Sequence, residues 1–157
     1  MTEREKINLL STATTTEERI KIFSTINYQS MIIDFHSTDI SDRELLDIVL
    51  IRSADIDLWH YLSSIGFKLE ILPSHDLINT NNPAFVEAML IFDKEFIDDA
   101  RLIEECICGI YAQYTPLNDR IKMISMLLKH NVLFDEEWVL GNTEEDEILS
   151  LFQNSEI

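Results

Sequence analysis

The chain has 157 residues, 46% of them hydrophobic, which is enough apolar material for the core of a single domain over residues 1–157. With only three glycines and three prolines, the composition disfavours a turn-rich all-β fold and favours helices. The 29 acidic residues exceed the 12 basic residues and give a formal net charge of −17, which excludes direct binding of nucleic acid phosphates.

The first half of the chain contains three predicted helix starts. Thr2 and Thr16 each precede an acidic first turn and are predicted N-caps. Ser41 and Glu44 form a predicted capping box before a strongly apolar helix. The segment at residues 30–36 is the one place where a short strand is predicted.

Four further helices are predicted in the second half. Asn82 is the predicted N-cap of a helix that has Pro83 at its first position, where a missing N–H group is tolerated. Residues 98–114 are predicted to form one long helix, and Pro116 is predicted to begin the next. Thr143 is the predicted N-cap of the last helix. The sequence therefore predicts an all-α fold.

A recurring pattern joins an apolar helix end to a polar turn, after which apolar residues resume at a spacing of two. Its common apolar position is occupied in turn by Phe23, Leu62, Leu90 and Leu127. Three copies place Asn27, Gly66 or Asn131 at the turn, and the poorest match has Lys94 there. Glycine and asparagine are the residues that most readily adopt the left-handed conformation after a helix end.

The stretch LLKHNVLFD, residues 127–135, resembles the second helix and exit turn of an ankyrin repeat. The resemblance covers roughly residues 15–140, although only the second-helix half of each unit matches. It implies stacked antiparallel helix pairs in an ankyrin-like solenoid, with turns and inner helix surfaces forming a protein-binding face. An irregular α bundle is the alternative architecture.

Two acidic patches are candidate partner-binding surfaces. The first, here called the C-terminal patch, comprises Asp135, Glu136, Glu137, Trp138, Glu144, Glu145, Asp146 and Glu147. The second, here called the middle patch, comprises Glu87, Asp93, Glu95, Asp98, Asp99, Glu104 and Glu105, of which Glu95, Asp98 and Asp99 are the predicted binding residues. An aromatic residue among carboxylates is the composition of a binding site for a basic protein. Alternatively, Trp138 covers the end of the core, and the acids simply lie at helix N-termini, where they are favoured.

Small acidic proteins of this kind look like bacterial immunity proteins, which block the active site of a cationic nuclease toxin. That resemblance implies a basic protein partner and no enzymatic activity, cofactor, metal or small-molecule substrate. A DNA-mimicking inhibitor of a nucleic-acid-binding complex is a second interpretation within the same class. A metal-dependent phosphohydrolase that uses His75 and Asp76 is the alternative from another class.

Other catalytic patterns are not found in the sequence. The three glycines are isolated from one another, so no phosphate-binding glycine loop is predicted. Cys106 and Cys108 are two residues apart on a predicted helix, so they point in nearly opposite directions and cannot share a tetrahedral metal.

The compartment is predicted from three features. The first ten residues lack the order of a signal peptide, and the longest apolar run, residues 88–92, is far shorter than the roughly 18 residues of a membrane span. The two cysteines are too close in sequence for a useful disulfide, which fits a reducing environment. We expect a cytoplasmic protein.

Overall fold

The computed structural model describes residues 1–33, 36 and 38–154, and these residues contain helices and no β-strand. The prediction of an all-α fold is confirmed. The helices are α1 (Glu3–Thr12), α2 (Thr16–Phe23), α3 (Asp42–Arg52), α4 (Ile56–Ser64), α5 (Ser74–Ile78), α6 (Pro83–Phe92), α7 (Arg101–Ile107), α8 (Ile110–Tyr114), α9 (Leu117–Lys129), α10 (Glu136–Asn142) and α11 (Asp146–Asn154). Short 3₁₀ segments lie at Tyr28–Ser30 and Lys94–Asp98.

The chain divides into two compact units, unit 1 at Met1–Pro73 and unit 2 at Ser74–Ile157. In unit 1, α1 packs against α2 and α3, and α2 packs against α4. The core of unit 1 includes Ile7, Leu10, Phe23, Leu46, Leu50, Leu58 and Leu62. The prediction of a single domain over the whole chain stays a prediction.

A buried ion pair fixes the loop that follows α4. Arg43 and Asp47 are one helical turn apart on α3, with 3.2 Å between Arg43 Nε and Asp47 Oδ1. Asp47 Oδ2 accepts hydrogen bonds from the backbone N–H groups of Glu70 and Ile71, and Arg43 Nη2 donates to the Lys68 carbonyl at 2.5 Å. The Arg43 guanidinium also lies 4.9 Å from the ring centroid of Phe67. A cation over an aromatic ring is attracted by the ring quadrupole.

In unit 2, helix α9 packs against α6, α7 and α11. It is amphipathic, and Met123, Ile124 and Leu127 lie on its buried face. Helix α7 also packs against α5, α8 and α10. The other core residues of unit 2 include Leu77, Phe85, Val86, Met89, Leu90, Phe96, Leu102 and Ile103.

Two of the four predicted helix exits share one hydrogen-bond pattern. The Phe67 N–H donates to the Leu62 carbonyl at 2.9 Å, and the Val132 N–H donates to the Leu127 carbonyl at 3.2 Å. The intervening Gly66 has φ +80° and Asn131 has φ +58°, as predicted for those turns. Asn27 does not share this conformation, because its φ is −89°.

All four residues at the common apolar position of the pattern, Phe23, Leu62, Leu90 and Leu127, are buried. These four residues are therefore core residues, while the full exit geometry is seen at Gly66 in unit 1 and at Asn131 in unit 2. The resemblance to ankyrin repeats stays a prediction.

The predicted N-caps Thr2, Ser41 and Asn82 are confirmed, because each side chain accepts a hydrogen bond from the backbone N–H three residues later. The prediction for Thr16 is wrong by one residue, since Thr15 caps α2. The prediction for Thr143 is wrong, since α11 begins at Asp146 and Thr143 directly follows α10.

The predicted long helix over residues 98–114 begins later, at Arg101, and is interrupted by Cys108 and Gly109, which separate α7 from α8. Gly109 has φ +109°, which a continuous helix does not allow. The segment predicted as a short strand lies partly outside the described residues.

Candidate protein-binding surface

Unit 2 carries most of the net charge. Residues 74–157 contain 17 acidic and 5 basic residues, a formal charge of −12, whereas residues 1–73 contain 12 acidic and 7 basic residues, a formal charge of −5. Both predicted patches belong to unit 2. The negative electrostatic potential of the chain is therefore concentrated in this unit.

The C-terminal patch is built on the starts of two short helices. The Asp135 carboxylate caps α10 by accepting a hydrogen bond from the Trp138 N–H at 3.2 Å. Carboxylates are favoured near helix N-termini because the unpaired N–H groups there carry partial positive charge. The patch exposes five further carboxylates to solvent, those of Glu136, Glu137, Glu144, Asp146 and Glu147.

Trp138 is half-buried on α10, beside the fully buried Val139. Leu140 is the more exposed apolar residue on this helix, with 46% of its surface accessible to solvent. It lies three and four residues after Glu137 and Glu136, and therefore on the same helix face. Sequence reasoning missed Leu140, although its position three and four residues after two glutamates was the signal that could have identified it.

Glu145 differs from the other carboxylates of the C-terminal patch because it holds α11 to α9. Its two oxygens accept hydrogen bonds from Arg120 Nη2 at 2.7 and 2.9 Å. Arg120 is 8% exposed, and its Nε also donates to the Thr115 carbonyl. Removing Glu145 would leave this nearly buried guanidinium without its carboxylate, so Glu145 has a structural role.

The three predicted residues of the middle patch have different environments. Glu95 and Asp98 are exposed, whereas Asp99 is 8% exposed. The Asp99 carboxylate accepts hydrogen bonds from Arg101 Nε at 2.9 Å and Nη2 at 3.0 Å, and from the Ser74 hydroxyl. Burial raises the pKa of Asp99, but the hydrogen bonds from Arg101 and Ser74 outweigh burial and lower the pKa overall. Of these three carboxylates, the ones that a partner can reach are therefore those of Glu95 and Asp98.

Neighbouring acids pair with histidines of unit 2. His130 Nε2 lies 2.7 Å from Glu87 Oε2, and this hydrogen bond lowers the pKa of Glu87. His75 Nδ1 lies 2.9 Å from Glu105 Oε1, which connects α5 to α7. The carboxylates of Glu87 and Glu105 therefore make contacts within unit 2.

The residues of the predicted phosphohydrolase alternative, His75 and Asp76, lie on the short helix α5. In the described part of the chain, no three or more His, Cys, Asp or Glu side chains form a group that could hold a metal ion. Cys106 is buried and Cys108 is exposed, and both are free thiols. Among the described residues, no helix combines the length and apolar character needed to cross a bilayer.

Comparison of this chain with protein-family models, with curated proteins and with solved structures gives no match.

Proposed function

We propose that this chain is an acidic protein-binding module that neutralises a basic partner, specifically an immunity protein that blocks the active site of a cationic nuclease toxin. The observation that supports the proposal most directly is the arrangement of the C-terminal patch, where six exposed carboxylates, including that of Asp135, surround the starts of α10 and α11. The net charge of −12 on the same unit adds long-range attraction.

In this proposal the exposed carboxylates take the place of the phosphates that the toxin binds in its nucleic acid substrate. Lysine and arginine side chains that line a nuclease active site pair with carboxylates by charge-assisted hydrogen bonds. Leu140 and the exposed part of Trp138 supply apolar contact among these charges. The chain acts by occupying the site and performs no turnover of its own.

The test compares two charge-reversal variants that change the net charge equally. The patch variant carries Glu137→Lys, Glu144→Lys and Glu147→Lys, and leaves Glu145 intact because of its pair with Arg120. Binding to the purified product of the neighbouring gene, the first candidate for the basic partner, is measured by surface plasmon resonance at several NaCl concentrations. Nuclease inhibition is measured on the same samples.

The matched control carries Glu5→Lys, Glu17→Lys and Glu70→Lys in unit 1. Glu5 and Glu17 lie in first helical turns, as Glu137 and Glu147 do, and Glu70 lies outside a helix, as Glu144 does. The helix-dipole cost of the two variants is therefore similar.

We expect the association rate to fall about tenfold or more in the patch variant and much less in the control, because steering depends on charge near the contact. The wild-type rate should also fall as salt shortens the Debye length from about 10 Å at 0.1 M to about 3 Å at 1 M. Equal rates for the two variants would remove the C-terminal patch from the proposal. Absence of both binding and inhibition at low salt would remove the proposed function.

A further inference from the structure

Unit 1 contains a groove between α1 and α2 with a volume of about 470 Å³. Its lining residues are Met1, Lys6, Leu9, Glu18, Lys21, Ile22 and Thr25. Glu18, Lys21 and Ile22 follow the i, i+3, i+4 spacing of one face of α2, and Thr25 lies just after the end of that helix. The groove thus runs along the seam of two packed helices.

The walls of the groove are mainly apolar, and part of this apolar surface faces solvent. Met1 is 78% exposed and Leu9 is 46% exposed, and Ile22 is half-buried beside them. Covering these side chains by an apolar ligand would release water from their surfaces, which is favourable in proportion to the area covered.

The two lysines of the groove have different roles. The Lys6 ammonium donates to Glu3 Oε1 at 2.8 Å and to the Thr25 carbonyl at 2.9 Å, so it fastens α1 to the end of α2. Within residues 1–33, 36 and 38–154, the Lys21 ammonium makes no ion pair or hydrogen bond. Glu17 and Glu18 lie four and three residues before it, where helix ion pairs usually form, yet Glu18 instead accepts a hydrogen bond from the Thr14 N–H.

Lys21, a cation with no partner among the described residues, lies at the edge of an apolar groove, and it is complementary to one anionic group attached to an apolar chain. The volume lies within the range of about 300–1,000 Å³ that small-molecule sites occupy. Seven lining residues are too few for a stable protein partner, which buries about 800 Å² on each side.

We propose that this groove binds a free amphipathic carboxylate, a fatty-acid-like molecule whose carboxylate pairs with Lys21 and whose chain lies against Met1, Leu9 and Ile22. The site belongs to unit 1, and the proposal does not depend on the basic partner of unit 2.

Isothermal titration calorimetry with the full chain tests the proposal, using octanoate, decanoate and neutral 1-octanol below micelle-forming concentrations. Affinity should rise about fourfold for each added methylene as long as the groove accommodates the chain. Octanoate should bind more tightly than 1-octanol because only octanoate can pair with Lys21. Amide chemical-shift changes should be concentrated in α1 and α2.

Two variants test separately how much the charge of Lys21 and the apolar contact of Leu9 contribute to binding. Lys21→Gln should weaken decanoate binding about two- to fivefold, the usual size of an exposed ion pair, and Leu9→Ser should weaken it further by removing apolar contact. Lys122→Gln is the matched control, because Lys122 is an exposed lysine on α9 of unit 2. Circular dichroism confirms that each variant keeps its helix content.

Equal binding of octanoate and 1-octanol, or equal effects of Lys21→Gln and Lys122→Gln, would overturn the proposal. Binding to phosphatidylglycerol-containing vesicles without binding of monomeric decanoate would also overturn it, because the groove would then be part of a lipid-surface contact. None of these outcomes bears on the association of unit 2 with a nuclease.

Discussion

Asp55 connects α2 to α4 through three kinds of contact, and its replacement gives a sharp test of how unit 1 is held together. Its carboxylate caps α4 by accepting a hydrogen bond from the Leu58 N–H at 3.0 Å. It also pairs with Arg19 Nη1 at 2.7 Å and accepts hydrogen bonds from the Thr16 hydroxyl at 2.7 and 2.9 Å. The Asp55 side chain is 8% exposed and that of Arg19 is 16% exposed.

The expected loss of stability is the sum of a cap and an ion pair. Asp55→Asn keeps a good capping side chain and removes the charge, so it should cost about 1.5–3 kcal/mol, the usual value for a hydrogen bond to a charged group. Asp55→Ala also removes the cap, which adds about 1 kcal/mol. The hydroxyl of Thr16 can turn to water after either change and should add little.

The assay is urea unfolding followed by tryptophan fluorescence. The chain has two tryptophans, Trp59 in unit 1 and Trp138 in unit 2, so a Trp138→Phe background reports on unit 1 alone. Trp59 is 4% exposed, and its fluorescence should change strongly on unfolding. The control is Asp57→Asn, which removes an exposed carboxylate from the first turn of the same helix and should cost no more than about 0.5 kcal/mol.

Acid should reveal the same contacts. Burial raises the pKa of Asp55, but the hydrogen bonds from Thr16, Leu58 and Arg19 outweigh burial, so the folded pKa lies below its ordinary value of 3.8. A lowered folded pKa contributes stability that is complete above the unfolded pKa and is lost as pH falls through the folded value. The difference in unfolding free energy between wild type and Asp55→Asn should therefore shrink below pH about 4.

Equal losses for Asp55→Asn and Asp55→Ala would show that the cap contributes nothing. A loss for Asp55→Asn no greater than that for Asp57→Asn would refute the ion-pair argument itself.

Three further predictions follow from burial and backbone conformation. Leu127→Ala should reduce the stability of unit 2 by about 2–5 kcal/mol in urea unfolding, because Leu127 is fully buried, and a negligible loss would contradict its place in the core. Gly66→Ala should lower the melting temperature, because an alanine at φ +80° costs about 1–2 kcal/mol. Gly141→Ala should raise the melting temperature, because Gly141 lies on helix α10 and its added Cβ would meet open space. Shifts of the same sign for the two variants would refute the backbone argument. Iodoacetamide should label only Cys108 in the native protein, because Cys106 is fully buried and burial raises its pKa, and native labelling of both thiols by mass spectrometry would contradict this.

The helix starts could be predicted from the sequence because their signals are local. The caps at Thr2, Ser41 and Asn82 each depend on one side chain and a backbone N–H three residues later. Such a contact forms inside a single turn and needs no information from the rest of the chain. The position of Leu127 in the core is also predictable, because it lies on the apolar face of a strongly amphipathic helix.

The predictions that failed concern features that depend on competing local backbone conformations or on residues distant in sequence. Gly109 lies inside a helical pattern, and only its positive φ shows that the helix ends there. Thr143 is a favourable cap residue, but the backbone places it after α10 and starts α11 three residues later. Glu145 meets Arg120 across 25 positions of sequence, and Asp99 meets Ser74 across 25, so neither carboxylate could be recognised as structural from its neighbours.

Some carboxylates of unit 2 make structural contacts and others do not. This difference helps to decide whether the acidic surface serves simple solubility or the binding of a partner. Simple solubility requires only net charge, and a carboxylate that also pairs or caps, as Asp99, Asp135 and Glu145 do, is explained by the fold alone. Glu137, Glu144 and Glu147 are exposed, and their clustering adds repulsion that mixed charges would avoid. Glu137 and Glu147 gain from their positions in first helical turns, but Glu144 lies outside a helix, and unit 2 as a whole has 12 more acidic than basic residues. A surface contact with a basic partner would remove that repulsion, which a merely solvated surface would not.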